Sequence, residues 1–363
     1  MSSFRRFVHL VLRDNPPVKE YSLRNIDMMR FFPTPASAEP PPPSTNNLPP
    51  PAISFCPPWL PRGVGGMDFM LFGGDKVLAT DQTGSSLLYD PVGNKVRAMP
   101  TFTTSKCRSI SLTVGGGSDL YAMNTIASWP CDPVPCAHDH NLEALVSQKE
   151  GFLCRPLPPT PCEFREFDPG HGIIRSYTVA GGGSSIWITK EGMGTYSFDT
   201  SSGLWSQIGD WALPFSGRGE YVPEHKLWFG LTSTSRCREA CDTTNLLYSE
   251  DVEAQRGDNT NLLCAVDVEA QPGPVVRATW EHVVPPKDLG WSPVDSYLIY
   301  LGSSRFCISR IFESTKAPHQ YVVFTGVEVE RCGDEQQEDG GLRMVKHSSE
   351  VYVLPSDMIY WVI

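Results

Sequence analysis

Metal-binding side chains are concentrated in one stretch of the sequence, WPCDPVPCAHDH at residues 129–140. Zinc prefers thiolate and imidazole ligands, and the stretch holds four of them: Cys131, Cys136, His138 and His140. However, the Cys-x4-Cys spacing is longer than in most compact zinc knuckles, and three prolines restrict the backbone. We therefore predict an exposed loop without bound metal, and keep a metal-binding loop at 131–140 as an alternative.

No other motif indicates catalysis or a cofactor. The glycine runs at 114–119 and 180–185 could suggest phosphate loops, but each joins two strand patterns instead of opening a helix. The sequence lacks G-x-S-x-G and H-E-x-x-H. His171 and His225 each have a carboxylate nearby in sequence, which is a common arrangement. We predict no catalytic, cofactor-binding or metal-binding residue.

The elements that would position these residues have an all-β pattern. Proline (33) and glycine (31) are frequent, and short runs rich in Val, Ile, Tyr, Phe and Trp are separated by turn residues. Pairs of strands that end in proline recur along the chain, and another strand pair precedes each of them. These segments end at Pro33, Pro100, Pro158, Pro214, Pro285 and Pro355. Four-stranded units repeated at about 40–50 residues, plus insertions, predict a β-propeller.

The two ends of the chain complement each other. The N-terminal segment supplies the second, third and fourth strands of a unit, with MRFFP at 29–33 as the fourth. The C-terminal stretch DMIYWVI, residues 357–363, is a leftover strand that fits the missing first position. Their pairing would close the ring and hide sheet edges that promote aggregation. We therefore predict one domain over 1–363, a six-bladed propeller, with the proline-rich run 33–51 connecting its first and second blades. An open pair of β-sandwich sheets is the alternative.

The stretch GTYSFDTSSGLWSQIGDWALPFSGRGEYVPEHKLWFGL, residues 194–231, resembles a large plant family of kelch-like proteins, expanded in grasses, with a domain of unknown function. YLGSSRFCISRIFE, TGVEVER and YSLRNIDMMRFFP fit the same family, so the resemblance covers nearly the whole chain. It implies a kelch-like propeller and brings no established catalytic residue. The cysteine-bearing loops at 129–140 and 235–262 look longer than the family pattern requires.

Alternating strand directions assign the connections to two faces of such a fold. The loop face carries the links between units and between second and third strands, including 124–141, 158–173 and 232–261. The turn face carries short hairpin turns such as 91–94 and 200–203. Long loops on a rigid scaffold commonly carry function, and Trp and Arg dominate binding hot spots. We predict three partner-binding residues on the loop face: Trp129, Arg236 and Arg238.

Charge and composition narrow the class of partner. A net charge of -11 disfavours nucleic acid and anionic membranes, which both require clustered Lys and Arg. No apolar stretch approaches the roughly 20 residues that span a bilayer, and the N-terminal apolar run is too short for a signal peptide. Eleven cysteines, an odd number, favour a reduced cytoplasmic or nuclear setting.

These observations predict a monomeric, non-enzymatic interaction scaffold that binds an unknown protein partner through its loop face. One alternative is an enzyme or small-ligand binder that uses the central channel, since fold alone does not exclude it. The other is the metal-binding loop at 131–140.

Overall fold

The structure is a computed structural model of the chain. Within the residues that it describes, the secondary structure consists of strands and turns plus two short 3-10 helices, which confirms the all-β prediction. No helix among them has the length and apolar composition needed to cross a membrane. The described residues are 4–13, 20–32, 45–60, 63–64, 66–106, 108–114, 116, 118–125, 142–161, 173–232, 262–280, 290–316, 319–332, 341–355 and 360–363.

The strands are numbered in chain order. The first ten are β1 (Phe7–Arg13), β2 (Tyr21–Asp27), β3 (Thr45–Asn46), β4 (Ile53–Phe55), β5 (Trp59–Leu60), β6 (Gly63–Val64), β7 (Met67–Phe72), β8 (Lys76–Asp81), β9 (Ser86–Asp90) and β10 (Lys95–Met99). The next eight are β11 (Ser109–Val114), β12 (Asp119–Asn124), β13 (Glu143–Gln148), β14 (Gly151–Pro156), β15 (Ile174–Ala180), β16 (Ser185–Lys190), β17 (Gly194–Asp199) and β18 (Leu204–Gly209). The last nine are β19 (Phe215–Val222), β20 (Leu227–Thr232), β21 (Leu263–Asp267), β22 (Val275–Trp280), β23 (Trp291–Gly302), β24 (Arg305–Ser314), β25 (His319–Arg331), β26 (Leu342–Pro355) and β27 (Tyr360–Val362).

These strands form four-stranded antiparallel units, of which the described part of the chain contains six. From first to fourth strand, units 1 to 6 are β27-β1-β2-β4, β7-β8-β9-β10, β11-β12-β13-β14, β15-β16-β17-β18, β19-β20-β21-β22 and β23-β24-β25-β26. Units 4 and 5 share one sheet because their first strands, β15 and β19, pair in parallel. The short hairpin β5-β6 lies in the link between units 1 and 2.

Hydrophobic clusters between consecutive units arrange them in a ring. Each cluster contains buried residues from two neighbouring units. Examples are Leu23 and Phe69 for units 1 and 2, Met70 and Leu120 for 2 and 3, Tyr121 and Phe198 for 3 and 4, Ala180 and Trp228 for 4 and 5, Phe229 and Phe306 for 5 and 6, and Leu10 and Phe324 for 6 and 1. The last of these clusters joins unit 6 to unit 1. The arrangement of the described units is therefore propeller-like, with the last unit packed against the first.

The C-terminal strand closes this ring as the sequence predicts. β27 pairs with β1, and the backbone amides and carbonyls of His9 and Ile363 bond reciprocally at 2.8 and 3.0 Å. Val362 is buried in the cluster between units 6 and 1. The indole Nε1 of Trp361 donates to Oδ1 of Asp68 at 2.7 Å.

Asp68 joins the first strands of three units. This side chain of β7 is only 1% exposed. Besides Trp361 of unit 1, it accepts hydrogen bonds from the amide and hydroxyl of Ser109 in unit 3, at 2.8 and 2.5 Å. Burial raises the pKa of its carboxyl, although these bonds act in the opposite direction. Trp361 and Ser109 thus tie units 1 and 3 to unit 2 through one buried carboxyl, which also accepts from the amide of Phe69 at 3.0 Å.

The N-terminal unit differs from the prediction in its fourth strand. Residues 29–32 do not form a strand, because a 3-10 helix occupies Met28–Phe31 and Asp27 caps it by accepting from the amide of Met29 at 3.1 Å. The i, i+3 spacing of Met28 and Phe31 places both in the cluster between units 6 and 1. A short apolar run is compatible with either a strand or a helical turn, so its pattern alone does not decide. The fourth strand is β4 instead.

The proline-rich run 33–51 therefore lies between the third and fourth strands of unit 1, and does not connect unit 1 to unit 2. Its described part includes β3, which pairs in parallel with β26 at the outer edge of unit 6. This pairing and the Met28–Phe31 helix both tie unit 1 to unit 6. Ring closure thus involves more of the chain than the C-terminal strand.

The turns follow the chemistry that the sequence indicates. Asp90 and Asp199 end their strands, and each accepts hydrogen bonds from two amides of the following turn at 2.8–3.2 Å. The amide of Gly93 is the largest cause that lowers the pKa of Asp90, and the hydroxyl of Ser201, at 2.6 Å, is the largest that lowers the pKa of Asp199. Asp267 ends β21 but pairs with Arg277 instead, at 3.2 Å. The run Gly181–Gly183 joins β15 to β16 as a hairpin turn, with a positive φ at each glycine.

Candidate functional site

The predicted partner-binding residues lie outside the described residues. Trp129 falls within 126–141, and Arg236 and Arg238 fall within 233–261. Their assignment to the loop face rests on sequence and on the positions of the strands that flank these segments. The assignment stays a prediction.

The four potential zinc ligands of the opening stretch also lie outside the described residues. In the part of the chain that the structure describes, no group of three or more His, Cys, Asp or Glu side chains is placed to hold a metal ion.

Replacing Cys131, Cys136, His138 and His140 with Ser or Ala is expected to change the melting temperature little. Substitutions on exposed loops usually alter stability by no more than about 0.5 kcal/mol. Metal analysis of the purified wild-type protein checks the same prediction. One equivalent of tightly held zinc that disappears in the fourfold variant would contradict it.

An exposed tryptophan stands on the loop face, in the link between units 1 and 2. Trp59 begins the β5-β6 hairpin and is 80% exposed. In the sequence, Pro57 and Pro58 precede Trp59 and Pro61 follows it by two positions. Prolines fix the backbone φ angle, so this segment has little conformational freedom. The carbonyl of Pro58 lies 3.4 Å from the side-chain amide of Gln82, in a turn on the same face.

Trp59 was not among the residues chosen from the sequence. The motif PPWLP could have indicated it, because prolines on both sides of a tryptophan present the ring on a stiff backbone. Four other tryptophans lie in strands and pack within or against the clusters between units; these are Trp187, Trp205, Trp228 and Trp280.

A second group of polar side chains lies around the axis of the ring, on two first strands and just before β1. We call Arg5, Tyr177, Arg218 and Glu220 the central cluster. Arg218 and Glu220 project from β19, with Nε of the arginine 2.8 Å from Oε1 of the glutamate. Nη1 of Arg218 also lies 3.5 Å from the carbonyl oxygen of Ser111 in unit 3. An arginine of unit 5 thus reaches past unit 4, which places its guanidinium near the axis.

Register and spacing bring the members of the cluster to one side. Tyr177 of β15 is the direct partner of Arg218 in the parallel pairing of β15 with β19, so the two side chains emerge on the same side of the sheet. Glu220 follows Arg218 by two positions and points the same way. Arg5 precedes β1; its amide donates to the carbonyl of Leu301 at 2.7 Å and its Nε to that of Phe7 at 2.8 Å.

The central cluster lies towards the turn face. Glu220 is two residues from the end of β19, where the chain turns into β20. Arg5 immediately precedes β1, whose first residue is on the same face because β1 is a second strand. The cluster is thus at the opposite end of the ring axis from Trp59.

Burial and mutual charge perturb the ionisation of this cluster. Arg5 is only 8% exposed, and desolvation lowers its pKa to about 10, with a further decrease from the charge of Arg218. Desolvation also raises the pKa of the Tyr177 phenol. The charge of Arg218 lowers this pKa, and the charge of Glu220 raises it. The groups are therefore close enough to affect one another electrostatically, and the charges of Glu220 and Asp75 both act against the lowering of the Arg5 pKa.

The other end of the axis carries a carboxylate. Asp295 of β23 accepts from the hydroxyl of Tyr297 at 2.7 Å and from the amide of Ser296 at 2.8 Å. Its side chain contacts solvent, yet desolvation raises its pKa while the charge of Arg108 lowers it.

Two buried histidines have roles in packing. His9 hydrogen-bonds to Oδ1 of Asn25 at 2.8 Å and to the carbonyl of Asp75 at 3.2 Å, and desolvation lowers its pKa to about 4. The imidazole of His225 lies 3.2 Å from the carbonyl of Val329 rather than against a carboxylate, and desolvation lowers its pKa. Both side chains are neutral at pH 7 and enclosed by protein.

Solved structures with a similar course of the chain are remote in sequence. A functionally unknown protein from Desulfotomaculum acetoxidans DSM 771 matches 94% of this chain and 79% of its own, at 9% identity and a TM-score of 0.41. A protein of unknown function from Bacteroides thetaiotaomicron VPI-5482 matches 85% of this chain and 68% of its own, at 10% identity and 0.40. An auxiliary nutrient binding protein from the same bacterium matches 78% of this chain and 57% of its own, at 9% identity and a TM-score of 0.37. Likenesses this remote carry no information on function.

Sequence comparison identifies the family. No curated protein matches the chain. Residues 5–352, which run from the arginine before β1 to the last unit of the ring, match the family described as protein of unknown function (DUF1668). The chain belongs to this DUF1668 family.

Proposed function

We propose that the protein is a non-enzymatic interaction module that binds a protein partner on its loop face. The observation that carries this proposal is Trp59, a large apolar side chain that is 80% exposed on a proline-framed hairpin. An exposed tryptophan costs hydration free energy, which burial against a partner recovers. Because prolines already restrict the backbone, little conformational entropy would be lost on binding.

The proposal includes the residues that the sequence places on the same face. Trp129, Arg236 and Arg238 would extend the contact surface around Trp59. A partner with a basic surface is favoured because the chain carries a net charge of -11. The ring is a suitable support because each described unit packs against two neighbours, so the links between units start and end on rigid strands.

The cellular setting is part of the proposal. Cys264 and Cys307 are buried, reduced thiols within strands, which agrees with a cytoplasmic or nuclear protein. We propose that the protein acts as a monomer. The kelch-like identity and the plant source stay expectations that rest on the sequence resemblance.

Substitution of Trp59 by alanine is expected to weaken partner binding about 30-fold, since loss of a hot-spot tryptophan costs about 2 kcal/mol. The melting temperature should not fall, because the side chain has few contacts within the protein. The partner is first identified by affinity purification with mass spectrometry, and its dissociation constant is then measured with purified proteins.

The matched control is Leu204→Ala, which removes an apolar side chain that is 66% exposed on the outer strand of unit 4. Its binding constant should equal that of the wild type. Trp129→Ala and Arg238→Ala should weaken binding as well. The proposal is contradicted if all three loop-face variants bind the partner like the wild type while changes in the turns 91–94 and 200–203 abolish binding. The partner would then bind on the turn face.

A small-ligand site in the channel is the second candidate function. The specific observation that favours it is the central cluster, where two arginines share one glutamate.

A further inference from the structure

We propose that the central cluster is a binding site for a small oxyanion, a carboxylate or phosphate group, at the turn-face end of the channel. The site would be held by the guanidinium groups of Arg5 and Arg218 and by the hydroxyl of Tyr177. It is separate from the loop face and does not depend on partner binding there.

The first argument is that Arg5 is incompletely satisfied. Its Nε and its backbone amide both donate to carbonyl oxygens. Its Nη2 is buried and has no hydrogen-bond partner among the described residues. An arginine that is 8% exposed and lacks a paired carboxylate is expensive to bury, because water no longer solvates its charge. A bound anion would provide both the missing acceptor and the missing counter-charge.

The second argument concerns the one carboxylate that is present. Glu220 approaches Nε of Arg218 to 2.8 Å, but the geometry does not make a hydrogen bond from that atom. Arginine binds carboxylates and phosphates most strongly through a planar pair of parallel N–H donors. Arg218 therefore has unused donor capacity near the axis. Its contact with the carbonyl of Ser111, at 3.5 Å, is at the outer limit for a hydrogen bond.

The third argument is a neutral donor in the same place. Tyr177 emerges beside Arg218 from the paired strand, and no described residue hydrogen-bonds to its hydroxyl. Desolvation raises its pKa, so the phenol keeps its proton at pH 7 and can donate it to an anion. Two guanidinium groups with an adjacent phenol match the donor requirement of a compact oxyanion.

The charge distribution favours the same conclusion. The chain has a net charge of -11, whereas the central cluster has two cations and one anion, and Asp75 acts on Arg5 more weakly than Glu220 does. Buried N–H donors of arginines with a purely structural role normally have hydrogen-bond acceptors. Two arginines with one carboxylate in direct contact among the described residues, enclosed by the inner strands, are the arrangement expected of an anion site.

The test is a calorimetric titration of the purified full chain with inorganic phosphate and, separately, with acetate. Chloride keeps the ionic strength constant, so general screening does not change during the titration. We expect saturable binding of at least one of the two probes, and the probe that binds more tightly tells whether the site prefers a phosphate or a carboxylate. Arg218→Gln should weaken this binding at least about tenfold, and Tyr177→Phe, which keeps the ring, about threefold or more.

Two further variants make the result specific. Glu220→Gln removes the carboxylate that competes for Arg218, so it should tighten anion binding severalfold, which a purely structural role of the cluster does not predict. Arg277→Gln changes a partly exposed arginine in the outer strand of unit 5 and should leave the affinity unchanged. Trp59→Ala should also bind the anion like the wild type.

The proposal is overturned if neither probe binds more tightly than chloride. It is also overturned if Glu220→Gln weakens binding together with Arg218→Gln, or if Arg277→Gln has the same effect as Arg218→Gln. The last result would indicate adsorption to surface arginines. Tyr177→Phe keeps all packing contacts of the ring, so it tests the site even if an arginine variant folds poorly.

Discussion

Removal of residues 357–363 is expected to lower the free energy of unfolding by about 5 kcal/mol or more, which is comparable with the whole stability of many domains. The deletion eliminates β27 and its pairing with β1, and it removes Val362 from the cluster between units 6 and 1. Loss of the buried Val362 and the partly buried Trp361 costs several kcal/mol. For a chain of this length the melting temperature should fall by roughly 5 °C or more. Thermal and denaturant unfolding of the truncated protein provide the measurement.

The electrostatic consequence at Asp68 adds to this loss. Without the indole of Trp361, the 1% exposed carboxylate of Asp68 loses a hydrogen bond at 2.7 Å and keeps Ser109 and the amide of Phe69 as its donors. Trp361→Phe tests this part because it keeps an aromatic ring and removes the N–H donor, together with part of the ring volume. That variant should cost about 1–3 kcal/mol, from the lost hydrogen bond and the smaller ring.

The truncation does not remove every link between units 1 and 6. The Met28–Phe31 helix and the pairing of β3 with β26 remain, so we expect a weakened ring rather than an unfolded chain. The control is Leu204→Ala on an outer strand, which should change stability by no more than about 0.5 kcal/mol. A truncated protein that melts at the temperature of the intact chain would show that β27 does not close the ring.

The units of the ring could be predicted from the sequence because turn chemistry and alternation are local signals. Asp90 and Asp199 mark the ends of third strands, and both accept from turn amides as expected. The C-terminal strand could be assigned because a ring with one missing strand has only one vacancy. Such arguments need only residues that are close in sequence.

The part that could not be predicted depends on contacts between distant segments. In MRFFP the choice between strand and helical turn is made by the burial of Met28 and Phe31 against unit 6, far along the chain. The pairing of β3 with β26 is equally non-local. The central cluster depends on distant segments even more, because Arg5 and Arg218 come near each other only after unit 1 has packed into the ring. Their neighbours in sequence give no indication of a shared site.

A buried ion pair holds the link between units 2 and 3 against unit 3, next to the loop face. Nζ of Lys106 lies 2.5 Å from Oε2 of Glu143, and the two side chains are 0% and 2% exposed. Oε1 of Glu143 accepts from the amide and hydroxyl of Thr103, both at 2.7 Å, and Oε2 accepts from the hydroxyl of Thr104 at 2.8 Å. Desolvation acts to raise the pKa of Glu143, but Lys106 and Thr103 outweigh it and hold the pKa at about 2.

Breaking this pair from one side should produce the largest effect of any single substitution proposed. Lys106→Met or Glu143→Gln is expected to cost about 3–5 kcal/mol, because each leaves a buried charge without its partner. The double variant should be less destabilised than the sum of the single variants by about 2–3 kcal/mol, since it removes both charges together. Denaturant unfolding of the four proteins measures this coupling.

The pH dependence gives an independent check of the same pair. The pKa of Glu143 is lower in the folded protein than in the unfolded chain, so its contribution is complete above the unfolded value of about 4.3. That contribution should decline as the pH falls from about 5 towards 2, as the folded state is forced to take up a proton. The wild type should therefore lose stability faster over this range than Glu143→Gln, which has no carboxyl to titrate.

The exposed pair Arg343–Glu330 is the matched control. Its atoms are 2.8 Å apart, but the side chains are 65% and 45% exposed, so water screens the attraction and Arg343→Met should cost less than about 1 kcal/mol. The comparison separates burial from mere proximity of charges. If Lys106→Met were as stable as Arg343→Met, and the acid dependence of Glu143→Gln matched that of the wild type, the buried pair would contribute no more than a surface contact. The link between units 2 and 3 would then be fixed by packing of its apolar residues, such as the fully buried Phe102.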